Sequence, residues 1–274
     1  MKKRTVSIFT NRTEISNETV KLLHSKLEES GFSPCDGLSE DSELIMCIGG
    51  DGAFLAAVHE CGFPPVPFVG VNTGHLGFFQ EIFPNQVGSF IEDYKDGKYH
   101  VQRLKAVEAG IVSETGTAGL MGLNEIVIKG RGSYTIHLDI SIGGSFIQRF
   151  SGDGILVASP AGSTAYNYSL GGCIVDPRLS LLQVTPIAPM NTTAYRSFTS
   201  SILLPAELSL GVTPERVADY EAVISADGIE HVFRGVKTIN ISYSETVINL
   251  IRLESYDFWN KVKTKFLDDA AVRQ

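Results

Sequence analysis

No stretch of the 274 residues approaches the roughly 20 consecutive apolar positions that a bilayer-spanning helix needs. A block of lysine and arginine is missing too: 23 basic residues face 31 acidic ones, for a net charge of −8. Phosphate neutralisation by Lys and Arg supplies most non-specific affinity for nucleic acid, so this balance argues against nucleic acid as a partner. It argues equally against an anionic membrane surface. Cysteine is scarce. Cys35, Cys47, Cys61 and Cys173 form no C-x-x-C pair and no Cys/His cluster at zinc spacing, which points away from a zinc module and toward a reducing compartment. The opening "MKKRTVSIFTNRTEIS" is positively charged but has too short an apolar stretch for a secretory leader, so a cytoplasmic protein is expected. Finally, there is no G-x-x-x-x-G-K-[ST], which removes a P-loop NTPase from consideration.

What remains is the composition of an ordinary globular chain, 43% hydrophobic and 20% charged, long enough for one large domain or two modest ones. Apolar runs at 5–10, 44–48 and 66–72 read as buried strands. Between them lie helical stretches: one capped by Ser16 with Leu22, Leu23 and Leu27 on its apolar face and Gly31 past its end, and one over 53–61. Strand, helix, strand, helix, strand predicts a parallel sheet with crossover helices. A further helix is expected over 84–99. From Val101 to about Tyr243 the chain turns rich in Val, Ile, Thr and Gly, with period-two alternation in "YTIHLDISI" and "VKTINISYS". The expected organisation is therefore an α/β domain over 1–100, a larger β-rich domain over 101–243, and a segment 244–274 returning to the first domain. In that last segment Phe258, Trp259, Val262 and Phe266 stand at helical spacing and read as core packing.

Two acids sit among glycines. "GGDG" at 49–52 joins an apolar strand to a helix, so its bare backbone N–H groups and the helix dipole suit a phosphate. A carboxylate there is repelled by phosphate unless it moves a proton or a metal compensates, which fits phosphoryl transfer. Read alone, Asp51-Gly52 is also a common turn dipeptide. A second Gly-Asp-Gly at 152–154 precedes a small, hydroxyl-rich stretch, and Asn124-Glu125 stands at the entrance of an apolar strand. In isolation that pair reads as a solvated loop, and "AGSTAY" as a helix cap.

Taken together, "GGDG" (49–52), "GVNTGHLGF" (70–78), "NE" (124–125), "GDG" (152–154) and "SPAGSTAY" (159–166) resemble the NAD kinase family in its compact bacterial form. The resemblance implies an α/β domain followed by a β-sandwich-like domain with NAD bound between them, and ATP with Mg²⁺ or another divalent cation as the phosphoryl-donor complex. It implies that Asp51 accepts the proton of the adenosine ribose 2′-hydroxyl and that Gly49, Gly50 and Gly52 face phosphate. By the same likeness Asn124 and Glu125 bond the ribose side. Asp153, Ser159, Thr164, Ala165, Tyr166 and Ser169 border the adenine end, with Ser151 beside them. Ala188 and Tyr195 help form the site across a subunit boundary, in a homodimer or homotetramer. The chain departs from the family pattern at Ser151, Ala161, Cys173 and Asp176. Two rival readings are a "GGDG" lipid kinase, disfavoured by the lack of a basic patch, and a non-catalytic NAD(P)-binding regulator.

Overall fold

The structure, a computed structural model, describes residues 4–132, 134–215 and 221–268. The chain divides into two compact units, one of residues 1–103 with 247–274, the other of residues 104–246.

The first unit alternates as β1 (Arg4–Thr10), α1 (Glu14–Glu29), β2 (Phe32–Asp36), β3 (Ser42–Gly49), α2 (Asp51–Glu60), β4 (Phe68–Asn72), β5 (Gln80–Ile82) and α3 (Val87–Asp96). Strands β2, β1, β3 and β4 pair side by side and parallel, and β4 also pairs with β5. Period-two alternation sorts the strand side chains onto two faces. Leu44, Met46 and Ile48 join Val69 and Val71 in a cluster with Leu23 and Leu27 of α1 and Phe90 and Ile91 of α3. Phe54 of α2 packs instead on Phe68, ring centroids 5.5 Å apart. This is a three-layer α/β unit.

Several local expectations are corrected. The N-cap of α1 is Thr13, whose side chain accepts from the Ser16 N–H; Ser16 lies one turn in, buried, with its Oγ 2.7 Å from Thr73 Oγ1. Leu22 is 40% exposed and points away from the core. Helix α2 begins on Asp51 itself, and 84–99 resolves into a 3₁₀ turn, Pro84–Gln86, followed by α3 and a left-handed Gly97 stop (φ 71°).

The second unit runs through β6 (His100–Ser113, from Leu104 on), β7 (Gly116–Gly122), β8 (Glu125–Gly130), β9 (Ile136–Ile142), β10 (Ser145–Gly152), β11 (Gly154–Ala158), the short α4 (Tyr166–Ser169), β12 (Leu181–Ile187), β13 (Ile202–Pro205), β14 (Leu210–Pro214), β15 (Glu221–Ala226), β16 (Ile229–Arg234) and β17 (Val236–Arg252, as far as Thr246). One antiparallel sheet is ordered β13-β12-β11-β8-β15-β16; the other places β10-β9-β14-β17 side by side, with the β6–β7 hairpin also joined to β17. Ile126, Ile128, Ile155 and Val157 of the first meet Leu138, Ile140, Phe150, Ile239 and Ile241 of the second in one buried cluster. The β-sandwich expectation holds.

Strand β17 ends in the first unit, where Leu250 pairs with Phe68. It is followed by α5 (Phe258–Phe266), capped by Asp257, whose carboxylate accepts from the Asn260 N–H at 3.1 Å. Phe258 and Val262 are buried, and Trp259, expected in the core stripe, is 51% exposed.

Candidate active site

In the first unit, the glycines around Asp51 serve three different needs. Gly49 has φ 150°, a conformation open to glycine, and a Cβ there would sit 2.5 Å from the Ala53 Cβ. Gly50, the α2 N-cap, and Gly52 meet nothing within 4 Å of where a Cβ would be, as does Gly74 in the facing loop. The helix N-terminus therefore opens onto free space with its N–H groups uncovered by side chains. Gly77 is the opposite case, since a Cβ on it would collide with the Asp51 carboxylate.

That carboxylate is held on both oxygens. Phe78 N–H donates to Oδ2 at 2.9 Å and Phe79 N–H to Oδ1 at 3.0 Å. Lys265 of α5 brings its ammonium to 3.8 Å from Oδ2 and lies 5.0 Å over the Phe78 ring. "GVNTGHLGFF" is thus not a separate ligand loop but the frame of Asp51.

In the second unit the expected residues form two groups at opposite ends of β11. At its C-terminal end Ser159 N–H donates to the Asn124 carbonyl at 2.8 Å, and Ser159 Oγ donates to the Leu123 carbonyl at 2.6 Å. Gly162 lies so close over Asn124 that a Cβ would strike its backbone. Beyond it, Ser163 Oγ accepts from the Val175 N–H at 3.0 Å, and buried Asn167 donates to the Ser163 carbonyl at 3.2 Å. These bonds fix the segment carrying Thr164 (9% exposed), half-buried Ala165, and exposed Tyr166 and Ser169. Tyr166 Oη accepts from Lys129 Nζ at 3.0 Å.

At the other end Asp153 is exposed, with its N–H on the Ile187 carbonyl at 3.0 Å. It stands beside Ala188, which adopts φ 45°. Ser151 is buried at 2%, its N–H on Ser197 Oγ and its carbonyl accepting from Met190. Tyr195 stacks on His137 (4.6 Å, 19°) and donates to Glu215 at 3.0 Å.

Asn124 and Glu125 do not sit in a solvated loop. They are 5% and 7% exposed, and Asn124 Oδ1 and Glu125 Oε2 are buried with no hydrogen-bond partner. Buried polar atoms left bare cost free energy, so two of them on adjacent residues mark a candidate place for a polar ligand. Burial first, and the Asp227 carboxylate second, push the Glu125 carboxyl up to about 8.

Asp227 escaped the sequence reading. From the tip of the β15–β16 hairpin it accepts from the N–H groups of Leu123 (2.7 Å), Asn124 (2.7 Å) and Glu125 (3.1 Å). Its signal was present as Asp227-Gly228 between alternating strands, a hairpin turn with φ 48° and 85°.

A glycine turn bearing a carboxylate in the first unit, and buried amide, acid and hydroxyl groups in the second, are groups of the kind a phosphotransferase uses. Residues 8–99 match the ATP-NAD kinase N-terminal domain and residues 123–253 the ATP-NAD kinase C-terminal domain. The chain is 38% identical over 267 residues to an NAD kinase of Finegoldia magna, covering 96% of this chain and 97% of that one. It is 33% identical over 235 residues to an NAD kinase of Staphylococcus carnosus, covering 84% and 87%. Its fold is that of yeast NADH kinase solved with NADH (TM-score 0.84, 20% identity, 97% of this chain and 89% of that one). An NAD kinase from Archaeoglobus fulgidus solved with ATP is similar as well (TM-score 0.78, 24% identity, 95% and 99%). The chain belongs to the ATP-NAD kinase family, and its activity is the ATP-dependent phosphorylation of NAD. Nothing in these matches supports a lipid kinase or a non-catalytic regulator.

Proposed function

We propose that the acceptor is the 2′-hydroxyl of the adenosine ribose of NAD, that Asp51 takes its proton, and that the product is NADP. The observation carrying this reading is a carboxylate fixed at the N-terminus of α2 amid open glycine backbone. The hydroxyl oxygen forms a bond to the γ-phosphorus of ATP while the bond to the β–γ bridging oxygen breaks and ADP leaves. The hydroxyl proton passes to an Asp51 oxygen. Each of these oxygens accepts one backbone N–H and keeps a further lone pair for it. A carboxylate accepts such a proton late, as bond formation acidifies the hydroxyl, and contributes about 10²–10⁴-fold. Gly49, Gly50 and Gly52 bare the turn to phosphate.

In the second unit Asn124 and Glu125 bond ribose hydroxyls with their unpaired atoms. Asp153 accepts from an exocyclic amine, and Ser159, Thr164, Ala165, Tyr166 and Ser169 border the nucleoside. Buried Ser151 serves by tying Asp153 to the 188–197 segment rather than by touching ligand, and Ala188 and Tyr195 shape that end.

Among the described residues no group of three or more His, Cys, Asp and Glu side chains could hold a metal ion. Mg²⁺ keeps several waters and is usually carried on substrate phosphates, so it fits as the companion of ATP and no step is assigned to a protein-held cation. A cytoplasmic location fits the four free cysteines. No helix among the described residues is long and apolar enough to cross a membrane. A coupled assay with NAD, ATP and Mg²⁺, with product position fixed by phosphorus NMR, tests the reading. Phosphate on any other hydroxyl overturns it.

A further inference from the structure

The two N–H groups that hold Asp51 belong to a segment whose far side is gripped by the end of β17 and the residues after it. Arg252 is 2% exposed. Its Nη2 donates to the Phe78 carbonyl at 2.8 Å, its Nη1 to Glu81 Oε2 at 2.9 Å and its Nε to Gln102 Oε1 at 2.8 Å. The Tyr256 ring lies 3.9 Å from its central carbon. With all three nitrogens engaged, the guanidinium fork has one orientation. Neighbours tighten the same segment: Leu253 N–H donates to Glu81 Oε1 at 3.0 Å, and Lys261 donates to the Gln80 carbonyl. Phe258 and Phe266 place their rings 5.9 Å from that of Phe78.

The Phe78 carbonyl and the Phe79 N–H are opposite ends of one planar peptide group. Arg252 anchors the oxygen of that plane, and the N–H at its other end donates to Asp51 Oδ1 at 3.0 Å. Fixing one end of a rigid plane aims the other. A cation on the oxygen also polarises the group and strengthens the bond its N–H makes, as linked hydrogen bonds do in a low-dielectric interior. For packing alone, a buried ion pair has no advantage over apolar side chains of similar volume. What the Arg252–Glu81 pair supplies here is direction.

We propose that Arg252 is a positioning residue for phosphoryl transfer, holding the Asp51 carboxylate in place through the Phe78–Phe79 peptide. This rests on the reading of Asp51 as proton acceptor. Arg252→Lys keeps the charge but offers no fork. The pair Arg252→Met with Glu81→Gln removes both charges of the Arg252–Glu81 pair and leaves Lys261, 3.6 Å from Glu81 and still bonded to the Gln80 carbonyl, as the one cation of the cluster, so it keeps the comparison available where the single variant fails to fold. Each is measured in the full chain for kcat, for the KM of NAD, and for exchange of the Phe79 amide proton, with and without Asp51→Asn.

Lowered kcat, at least tenfold, with the KM of NAD within twofold and faster Phe79 exchange is expected. On the Asp51→Asn background the same changes should move kcat less than twofold, because the group they position is gone. An equal loss on both backgrounds overturns the proposal, since a general structural weakening would act alike on each. A folded variant with full kcat beside a crippled Asp51→Asn overturns it too and leaves the Asp51 reading standing. Full kcat in Asp51→Asn itself removes both.

Discussion

Asp51 and Glu125 are acids with different neighbours. Asp51 accepts from two backbone N–H groups and lies 3.8 Å from an ammonium. Glu125 is buried beside another carboxylate and rises to about 8, so at neutral pH it carries its proton in the free protein. Asp51→Asn is not a neutral isostere here. Its amide nitrogen must face one of the two backbone N–H groups, so one hydrogen bond is lost along with the proton acceptor. Turnover is expected to fall about 10²-fold or more while NAD affinity, measured by calorimetry, changes little. Gly77→Ala, which drives a Cβ into the same carboxylate, should share that signature. For Glu125 the folded value lies above the ordinary 4.5. Its contribution is therefore full below about pH 4.5 and is lost as pH rises through about 8. Glu125→Gln removes that loss. Between pH 5 and pH 9 the melting temperature of the unsubstituted protein should drop by roughly 8 °C more than that of the variant. Parallel curves would mean that Glu125 ionises freely.

At the level of elements, the backbone of Asn124 and Glu125 depends on the β15–β16 hairpin, whose Asp227 carboxylate accepts their N–H groups. Asp227 gathers three successive N–H groups at the mouth of β8, so Asp227→Ala leaves three buried donors unpaired. A stability loss of about 2–4 kcal/mol is expected. The KM of NAD should rise well above any change for ATP, because the backbone that aims Asn124 and Glu125 is released; equal changes would reduce the hairpin to a general support. Such links explain what the sequence made legible and what it hid. β1, β3 and β4 were readable because unbroken apolar runs between glycine and proline signals are what a parallel sheet covered on both faces requires. β2 was hidden by Pro34, tolerated because β2 is the outermost strand of its sheet and pairs on one side alone. The "GGDG" turn announced itself through glycine, a local signal. Asp227 and Arg252 did not, for their partners lie 102–104 and 174 residues away and no periodicity encodes a contact at that range. Asn124-Glu125 misled in the other direction: a polar pair before a strand reads as solvent-facing until a distant serine N–H and a distant carboxylate enclose its backbone.

For the whole molecule the open matter is assembly, and the second unit carries the argument. β10 is the outermost strand of its sheet, and its exposed face carries Phe146 (62% exposed) and Ile147 (40%). Phe198, 45% exposed, is tied to that strand by its N–H on Gln148 Oε1 at 2.8 Å, and Leu203 adds 50% exposure on β13. An unpaired strand edge flanked by large apolar side chains invites a second chain, and a closed two-fold pairing covers it without leaving a further edge. On the same strand Arg149 stands 3.5 Å from Asp139 and 3.7 Å from Glu215, and Glu215 accepts the Tyr195 hydroxyl. Apolar cover for β10 and orientation of Tyr195 thus belong to one patch. Light scattering at working concentration is expected to show at least a dimer. Phe146→Glu places a charge in the apolar part of that patch, a substitution no contact within one chain opposes. It should shift the population toward monomer and weaken NAD binding several-fold, with the melting temperature of each unit little changed. A Phe146→Glu monomer that binds NAD at full strength would show that the site near Tyr195 is complete within a single chain. A fully active monomer of the unsubstituted protein would remove the assembly altogether, and the exposed β10 face would then need another occupant.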